Sequence, residues 1–334
     1  MKQFVPGRQR QRGVALIIAL ILVALATILA TKLSFDGFLE QRRTVGMLAA
    51  EQALHFGLGA EALAADVLIQ DLQNSASATI LAAPWAQATK PLPITPENNP
   101  EGEPIGTLQG ALEDMQGRFN LNSLARLGKD GKTEDPLPLQ QFQRLLASVG
   151  VEPRWAGLVR DWIDPDDVVS DPDGAEDAVY TSQTPPYRTG NWPMMSASEL
   201  MNLPGFGADR YRKIAPYVTA LPNANTAINI CTAPALVLES LVDGLSGEWS
   251  GNPAVLADGR KNGCFPDKTT FTNVATSFAG QQAMLNIGSQ IDTKSSYFQL
   301  TTRVTLGTTQ FTLYSLLQRG SSKVIPLLRS FGTT

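Results

Sequence analysis

A dense run of carboxylates is the part of the chain whose residue types could do chemistry. Residues 161–177 read DWIDPDDVVSDPDGAED, which places eight Asp or Glu side chains in seventeen positions without one Lys or Arg. So many like charges repel one another and normally stay in solvent, yet Trp162, Val168 and Val169 lie among them. A divalent cation would resolve this conflict, because Ca²⁺ takes about six to eight oxygen ligands and tolerates irregular loops.

We therefore predict that this run holds a structural Ca²⁺ ion. The spacing differs from that of an EF-hand, since Asp171, Asp173 and Gly174 are not followed by the remaining ligand positions or by a glutamate at the twelfth position. Two alternatives stay open. One is a solvated acidic loop that binds no metal, and the other is a carboxylate pair that performs acid–base catalysis in a cleft.

Few other residues in the chain could carry out catalysis. The sequence contains one histidine, His55, and two cysteines, Cys231 and Cys264, so a Cys/His zinc site cannot be assembled without carboxylates. No nucleophile motif accompanies His55, and we predict that this side chain packs within the folded head. The cysteines enclose a turn-rich segment, and we predict that they form a disulfide in an oxidising compartment. Two free buried thiols are the alternative.

The charge distribution argues against a nucleic-acid partner. The formal net charge is −4, but four of the 27 basic residues lie in the first 13 positions, which leaves 23 basic against 31 acidic residues in the rest of the chain. An acidic body repels the phosphate groups that supply most non-specific nucleic-acid affinity. The segment LPGFG followed by Arg210, Arg212 and Lys213 resembles a helix-hairpin-helix DNA-binding motif. A hairpin that only packs two helices together is the favoured alternative, because a tight interhelical turn needs the same proline and glycines.

An apolar stretch near the N-terminus predicts a membrane helix. Residues 14–31 carry no charge and lie between Arg12 and Lys32, and such a stretch nearly spans a hydrocarbon core at a rise of about 1.5 Å per residue. The core of a secretory signal peptide is the alternative. Because basic residues stay on the cytoplasmic side, we expect the rest of the chain to lie across the membrane, which in a bacterium is the periplasm.

The junction between the basic leader and the apolar stretch resembles the cleavage site of type IV prepilins and pseudopilins. It reads RQRG followed by VALIIALILVALATIL, and the resemblance implies that a membrane peptidase cuts after Gly13 and leaves Val14 as the mature N-terminus. Most members carry a glutamate at the fifth mature position, where this chain has Ile18. The resemblance implies that a chain without this acid is first in its filament. A single-pass anchor that never polymerises is the alternative.

The N-terminal helix is predicted to continue into a soluble head, the part of the chain beyond the apolar stretch. Apolar residues recur at helical spacing beyond Lys32. However, glycines such as Gly37 and Gly46 each cost up to about 1 kcal/mol against alanine in a helix interior. We therefore expect the helix to bend or to melt in part.

The rest of the sequence predicts an α+β head. Strand patterns occur near residues 106–124 and in a C-terminal hairpin around Gly307, and helix patterns lie between them over residues 137–162 and 196–214. We therefore predict an N-terminal transmembrane pseudopilin helix packed on a small antiparallel sheet, with a large α-helical domain inserted between the strands. The predicted boundaries are 1–13 for the leader, 14–34 for the transmembrane helix, 35–125 for the N-terminal helix and first strands of the head, 126–222 for the inserted helical domain with the acidic loop, and 223–334 for the remainder of the head with its hairpin.

Longer motifs resemble the minor pseudopilin K family of type II secretion systems, and together they cover nearly the whole chain. They are RQRG before VALIIALILVALATIL with Ile18 in place of the acid, DWIDPDD, GAEDAVY, PPYRTGNWPM, ELMNLPGF, and YVTALP leading to INICTAP. The resemblance implies a non-catalytic subunit that caps the tip of the pseudopilus and initiates its assembly for the export of folded periplasmic proteins.

The same resemblance implies the location, partners and ligand of the protein. It implies a single-pass protein of the bacterial inner membrane with a cytoplasmic N-terminus and a periplasmic head, cut by prepilin peptidase and methylated at its new N-terminus. The implied partners are the minor pseudopilins I and J, then H and the major pseudopilin G, with no nucleic acid. Ca²⁺ is the implied cofactor, and the ligands carried over to this chain are Asp164, Asp166, Asp173, Glu176 and Asp177. The alternative functions are a membrane-anchored periplasmic hydrolase and a helix-hairpin-helix DNA-binding protein.

Overall fold

The computed structural model describes most of the chain. The described residues are 12–75, 77–87, 89–96, 99, 101–128, 130–242, 254–279, 288 and 290–332. Most of the predicted leader, residues 1–11, therefore lies outside the described residues, as do residues 243–253 of the segment between the two cysteines.

Helices and short strands alternate along the described chain. Its α-helices are α1 (Arg12–Asn74), α2 (Pro136–Ser148), α3 (Trp155–Ile163), α4 (Asp177–Tyr180), α5 (Gly207–Ile214), α6 (Ala235–Ser240), α7 (Ala254–Asp258) and α8 (Lys268–Ala279). Its 3-10 helices are Pro84–Ala86, Met115–Gly117, Leu121–Ala125, Ala197–Asn202 and Ala215–Tyr217. Its strands are β1 (Leu92–Ile94), β2 (Gly106–Asp114), β3 (Phe119–Asn120), β4 (Val218–Thr219), β5 (Ile228–Asn229), β6 (Ile291–Asp292), β7 (Tyr297–Leu306), β8 (Thr309–Arg319) and β9 (Val324–Phe331).

The long helix α1 joins the apolar N-terminal stretch to the head without a break. Its 63 residues span about 95 Å at a rise of about 1.5 Å each. Its most apolar 18-residue window has a mean hydropathy of 2.9 and is fully exposed, so it is long and apolar enough to cross a membrane. The expected melting at Gly37 and Gly46 does not occur, because the residues around them, rich in Leu, Glu, Arg and Ala, are strong helix formers.

The C-terminal half of α1 packs on one face of an antiparallel sheet. Within the described chain the sheet has the strand order β1-β2-β7-β8-β9, and Ala53 and Leu68 of the helix pack with Val304 and Phe298 of β7. The helix approaches the sheet closely at Gly57, where an added Cβ would lie 3.2 Å from a Leu313 methyl carbon. The predicted α+β fold, with the N-terminal helix on a small antiparallel sheet, is confirmed.

Two features of this layer differ from the sequence prediction. His55 is exposed on α1, so the prediction that it packs within the head was wrong. Ala53 and Gly57 face the sheet. His55 lies two positions from each of them, so it is turned by about 200° around the helix and points away from the sheet. The strand β9 was also missed, because Pro326 interrupts its pattern. Proline is tolerated there, since β9 is an edge strand and a missing N–H costs little at an edge.

Two ion pairs fasten α1 to the sheet, one partly exposed and one buried. Glu61 accepts two hydrogen bonds from the guanidinium of Arg329 on β9, at 2.7 and 3.0 Å. Ten residues further along the helix, Asp71 accepts one from Arg319 on β8, at 2.8 Å. Arg319 also donates to Thr79 Oγ1 at 2.7 Å. Because the Arg319–Asp71 pair is almost fully shielded from solvent, each charge depends on the other.

A helical block leaves the head and returns to it at one place. The helices α2–α5 lie between β3 and β4, which pair in parallel through Phe119 and Val218. Asn120 of β3 fixes this base, because its Oδ1 accepts from the Leu221 N–H at 2.9 Å and its Nδ2 donates to the Asn223 carbonyl at 3.0 Å. The two ends of the block are therefore held side by side.

The predicted disulfide is present between Cys231 and Cys264. Both half-cystines are buried, and the bond joins the segment that follows β5 to the segment that precedes α8. It therefore holds together the two described parts of the chain on either side of residues 243–253.

We expect Arg319→Ala to lower the free energy of unfolding of the full-length protein by about 3–5 kcal/mol, because it leaves Asp71 buried without its counter-charge. Urea unfolding in detergent, followed by tryptophan fluorescence, measures this change. The matched control is Arg303→Ala on β7, whose side chain is exposed and should matter by no more than about 0.5 kcal/mol. Equal losses for the two variants would contradict the role of the buried pair.

Candidate functional site

The C-terminal end of α3 carries the acidic run into the core of the helical block. Trp155, Val159 and Trp162 bury the apolar face of this helix, which draws Asp161 inward on its last turn. Asp164 ends the helix, and its N–H donates to the Arg160 carbonyl at 2.9 Å. The sequence thus places two carboxylates, three positions apart and so on one side of the helix, at a buried helix end.

Three carboxylates of the run are buried together. The exposed fractions of Asp161, Asp164 and Glu176 are 0%, 4% and 5%. Asp161 Oδ1, Asp164 Oδ1 and both Glu176 carboxylate oxygens are buried without a hydrogen-bond partner, and so is the Tyr180 hydroxyl. An ionised carboxylate costs several kcal/mol to bury unless it is paired. We call these three side chains the acidic site, and it offers negative charge that requires a counter-charge.

The acidic site raises the pKa values of Asp164, Glu176 and the neighbouring Tyr180. Burial raises the pKa of Asp164 to about 7, helped by the negative charges of Asp166 and Asp161. Burial also raises the pKa of Glu176 to about 7, again helped by Asp161. The pKa of Tyr180 is raised as well, first by burial and then by neighbouring groups that include Asp161. These shifts show that the carboxylates lie close enough to repel one another.

A tight turn folds over the Asp161 carboxylate. The Ser170 N–H donates to Asp161 Oδ2 at 3.1 Å, and the Gly174 N–H donates to the Ser170 carbonyl at 2.7 Å. A Cβ at Gly174 would lie 2.1 Å from Asp161 Oδ2, which no real contact allows. Glycine is therefore required at this position for the turn to close on the carboxylate.

The structure brings some of the predicted ligands together and directs others elsewhere. Asp164 and Glu176 lie in the acidic site, and Asp166 lies near enough to raise the pKa of Asp164, although its own side chain is exposed. Asp173 is half-buried. Asp177 faces away, because it accepts hydrogen bonds from Thr189 and pairs with Arg188, which lowers its pKa.

Sequence reasoning left Asp161 out of the ligand set, although it is fully buried. Its spacing of three residues from Asp164 was the signal that could have found it, because this spacing puts both side chains on one side of a helix. Among the described residues, no three His, Cys, Asp or Glu side chains are arranged as a preformed metal site. Any ion held here would therefore need carbonyl or water oxygens besides the carboxylates, which Ca²⁺ accepts.

The basic residues after the LPGFG turn are engaged within the protein. Arg210 donates two hydrogen bonds to Glu152, both at 2.9 Å. Arg212 pairs with Asp209 at 2.9 Å, and Lys213 donates to the Gly150 carbonyl at 3.3 Å. The contacts of Arg210 and Lys213 join α5 to the turn after α2, which favours the alternative that the hairpin packs helices.

Comparison with known proteins identifies relatives along nearly the whole chain. A model of the family "Type II secretion system (T2SS), protein K" matches residues 117–223, the segment that contains the helical block. The type II secretion system protein K of Aeromonas hydrophila is 33% identical over 97% of this chain and 98% of its own. The protein of the same name from Pseudomonas aeruginosa is 34% identical over 97% of this chain and 94% of its own.

The fold also has a solved counterpart. The crystal structure of the GspK–GspI–GspJ complex from the type 2 secretion system of enterotoxigenic Escherichia coli contains a chain similar to this one, with a TM-score of 0.75 and 27% sequence identity. The similarity covers 87% of this chain and 100% of that chain.

We expect the metal-free protein to lose stability as the pH rises from about 4 to about 7. The pKa values of Asp164 and Glu176 are raised to about 7 in the folded chain, above the value of about 4 in the unfolded chain. The folded state therefore binds more protons within this window, and its stability falls until both groups are ionised. Thermal melting in a chelator at several pH values measures the slope.

Asp164→Asn should flatten this pH dependence, because it removes one of the two titrating groups of the acidic site. Asp66→Asn on the exposed side of α1 makes the same change of charge and serves as the control. A slope that Asp164→Asn leaves unaltered would contradict the assignment of the titration to the acidic site.

Proposed function

We propose that this chain, which belongs to the protein K family of type II secretion systems, caps the tip of the pseudopilus. In this proposal it also starts assembly of the pseudopilus for the export of folded periplasmic proteins. The observation that carries the proposal is that one chain joins an exposed apolar helix segment to a head enlarged by a helical block. We call this segment, the part of α1 between Val14 and Leu33, the stalk.

The stalk supports a place in a bundle within the membrane. The apolar side chains of α1 between Val14 and Leu33 are exposed in the described chain, so lipid or the helices of other subunits must cover them. Helices in lipid associate through close packing rather than through the hydrophobic effect. A chain with one such helix fits a single-pass anchor.

The residue Ile18 supports a place at the end of the bundle. Its side chain is exposed on α1 and has no carboxylate to pair with the terminal ammonium group of a neighbouring subunit. A charge within lipid is costly unless it is paired. After cleavage, Val14 would carry an ammonium group that can pair with the carboxylate of an incoming subunit. Such an ion pair would therefore join this chain to the subunit that follows it and to no subunit before it.

The helical block supports the role of a cap. Residues 121–217 leave the head and return to it at the β3–β4 pair, so they add bulk that the sheet and α1 do not need for their own core. An identical subunit stacked above would have to accommodate that bulk. Growth of the filament beneath this head avoids the conflict.

The partners follow from the solved relative. The Escherichia coli structure holds GspK together with GspI and GspJ, and we infer that the I and J pseudopilins contact this chain in the same way. The H pseudopilin, the major pseudopilin G and prepilin peptidase are further partners in this proposal. The N-terminus would lie in the cytoplasm, the stalk in the inner membrane and the head in the periplasm.

The buried carboxylates support Ca²⁺ as a structural ligand of the head. Asp161, Asp164 and Glu176 leave buried oxygens without partners, and oxygen is the ligand that Ca²⁺ prefers. Asp166 lies beside them, and carbonyl and water oxygens would complete the shell. When bound, the ion would supply the positive charge that these side chains lack and would hold the acidic loop on α3.

A hydrolase has less support than this structural role. His55, the one histidine of the chain, lies on the exposed side of α1, which is not the element that carries the acidic site. The family is that of a secretion-system component, and the raised pKa values of Asp164 and Glu176 are explained by burial and by the repulsion of neighbouring carboxylates.

We expect removal of Ca²⁺ to lower the melting temperature of the purified protein, because it restores repulsion among the carboxylates of the acidic site. Asp161→Asn and Asp164→Asn should each reduce the bound calcium and the shift caused by a chelator. Atomic absorption after dialysis and melting with and without chelator measure both effects. Asp66→Asn is the control with unchanged binding, and a protein that holds no calcium and shows no shift would refute the site.

We expect Gly13→Val to block cleavage and to abolish secretion, because a Cβ at this position obstructs the extended chain in the peptidase site. Mass spectrometry should find Val14, methylated, at the N-terminus of the wild-type protein, and residues 1–13 retained in the variant. Gly37→Val is the control, since a Cβ there meets no other atom. Normal secretion by uncleaved protein would indicate a plain membrane anchor.

A further inference from the structure

Large apolar side chains are exposed on two segments, around Val168 and around Trp192, that a hydrogen bond between Asn191 and Asp167 joins. The side chains of Trp192, Val168 and Met195 are 73%, 71% and 65% exposed, the highest values among the large apolar side chains of the described chain outside α1. Val169, next to Val168, is also exposed. We call these four side chains the Trp192 surface. A single exposed apolar residue is ordinary, but a group that includes a tryptophan marks an interaction site.

The backbone that carries this surface is fixed on both sides of Trp192. The Met194 N–H donates to Asn122 Oδ1 at 2.8 Å, and Asn122 Nδ2 donates back to the Met194 carbonyl at 2.9 Å. Asn122 is buried. On the other side, Asn191 Nδ2 donates to Asp167 Oδ1 at 3.1 Å, which ties this segment to the loop of Val168. The surface is therefore held in place before any partner arrives, which reduces the entropy lost on binding.

The charge around the surface is strongly negative. Residues 161–195 contain eight Asp or Glu side chains and one basic residue, Arg188, which pairs with Asp177 at 3.4 Å. Asp166, Asp167 and Asp171 are exposed, and they lie in the loop that carries Val168. A Ca²⁺ ion in the acidic site would leave the charges of Asp167 and Asp171 in place, because neither residue is among its proposed ligands. A cationic partner is therefore attracted, and an anionic one is repelled.

We propose that the Trp192 surface docks a segment of another exported protein in which an Arg or Lys side chain stands beside an apolar one. The cation can lie against the indole ring of Trp192 and near the exposed carboxylates, while the apolar neighbour covers the valines and Met195. A second copy of this chain fits poorly, because its residues after position 13 include 31 acidic but only 23 basic side chains. An anionic lipid surface is excluded by the same charge argument.

The test measures a labelled peptide binding to the full-length protein in phosphatidylcholine nanodiscs. The probe has about ten residues with Arg-Phe pairs spaced by Gly-Ser, and the matched probe carries Glu in place of each Arg. We expect the Arg-Phe peptide to bind at least about tenfold more tightly than the Glu-Phe peptide. Trp192→Ser should weaken its binding about tenfold. Fluorescence anisotropy with empty nanodiscs as the blank measures both differences.

Two further variants make the result decisive. Asp167→Asn keeps an oxygen for the Asn191 hydrogen bond and removes one exposed charge, so it should weaken binding of the Arg-Phe peptide alone. Ile325→Ser on β9 removes an exposed apolar side chain on another element and should leave binding unchanged. Equal affinity for the two peptides would overturn the proposal. So would loss of binding in Ile325→Ser equal to that in Trp192→Ser, or a self-association that Trp192→Ser abolishes. Measurement of peptide binding with and without a chelator separates the Trp192 surface from the calcium site.

Discussion

The burial of Arg319 is the interaction on which the arrangement of the head depends. A buried guanidinium must find acceptors for its donors, and this one finds Asp71 at the end of α1, Thr79 in the loop that follows and the Ser295 carbonyl before β7. The Ser295 hydroxyl then donates to Asp114 at the end of β2. The contacts of this one buried charge thus connect α1, the sheet and the chain segment that leads into the helical block.

The head contains two buried polar clusters, one around Asp114 and the other at the acidic site. They differ in how far their carboxylate oxygens are hydrogen-bonded. The Asp114 carboxylate, whose pKa is raised by burial, accepts hydrogen bonds from the side chains of Thr232, Asn229 and Ser295. At the acidic site, Asp164 and Glu176 are buried with oxygens that have no partner. A complete network stabilises the fold by itself, whereas an incomplete one leaves buried charge that the polypeptide does not compensate.

Patterns that depend on neighbours in sequence could be predicted, and features that depend on tertiary contact could not. The apolar stretch, the β7–β8 hairpin, the disulfide and the family were visible in the sequence. The exposure of His55 was not, because it depends on which side of α1 meets the sheet. The role of Asp161 was hidden for the same reason, since only the packing of α3 shows that it points inward. The exposure of Trp192 also depends on tertiary contacts and could not be predicted from its residue type.

The two fastenings of α1 have a mechanical consequence. Glu61 and Asp71 are ten residues apart on the helix and bind different strands, so the contacts are separated by about 15 Å along the axis. One such contact would leave the helix free to pivot. Two contacts resist both tilting and axial rotation, and the sheet also packs closely against Gly57, which lies between Ala53 and Glu61. The packed half of α1, from Ala53 to Asp71, and the sheet therefore move together as one rigid body.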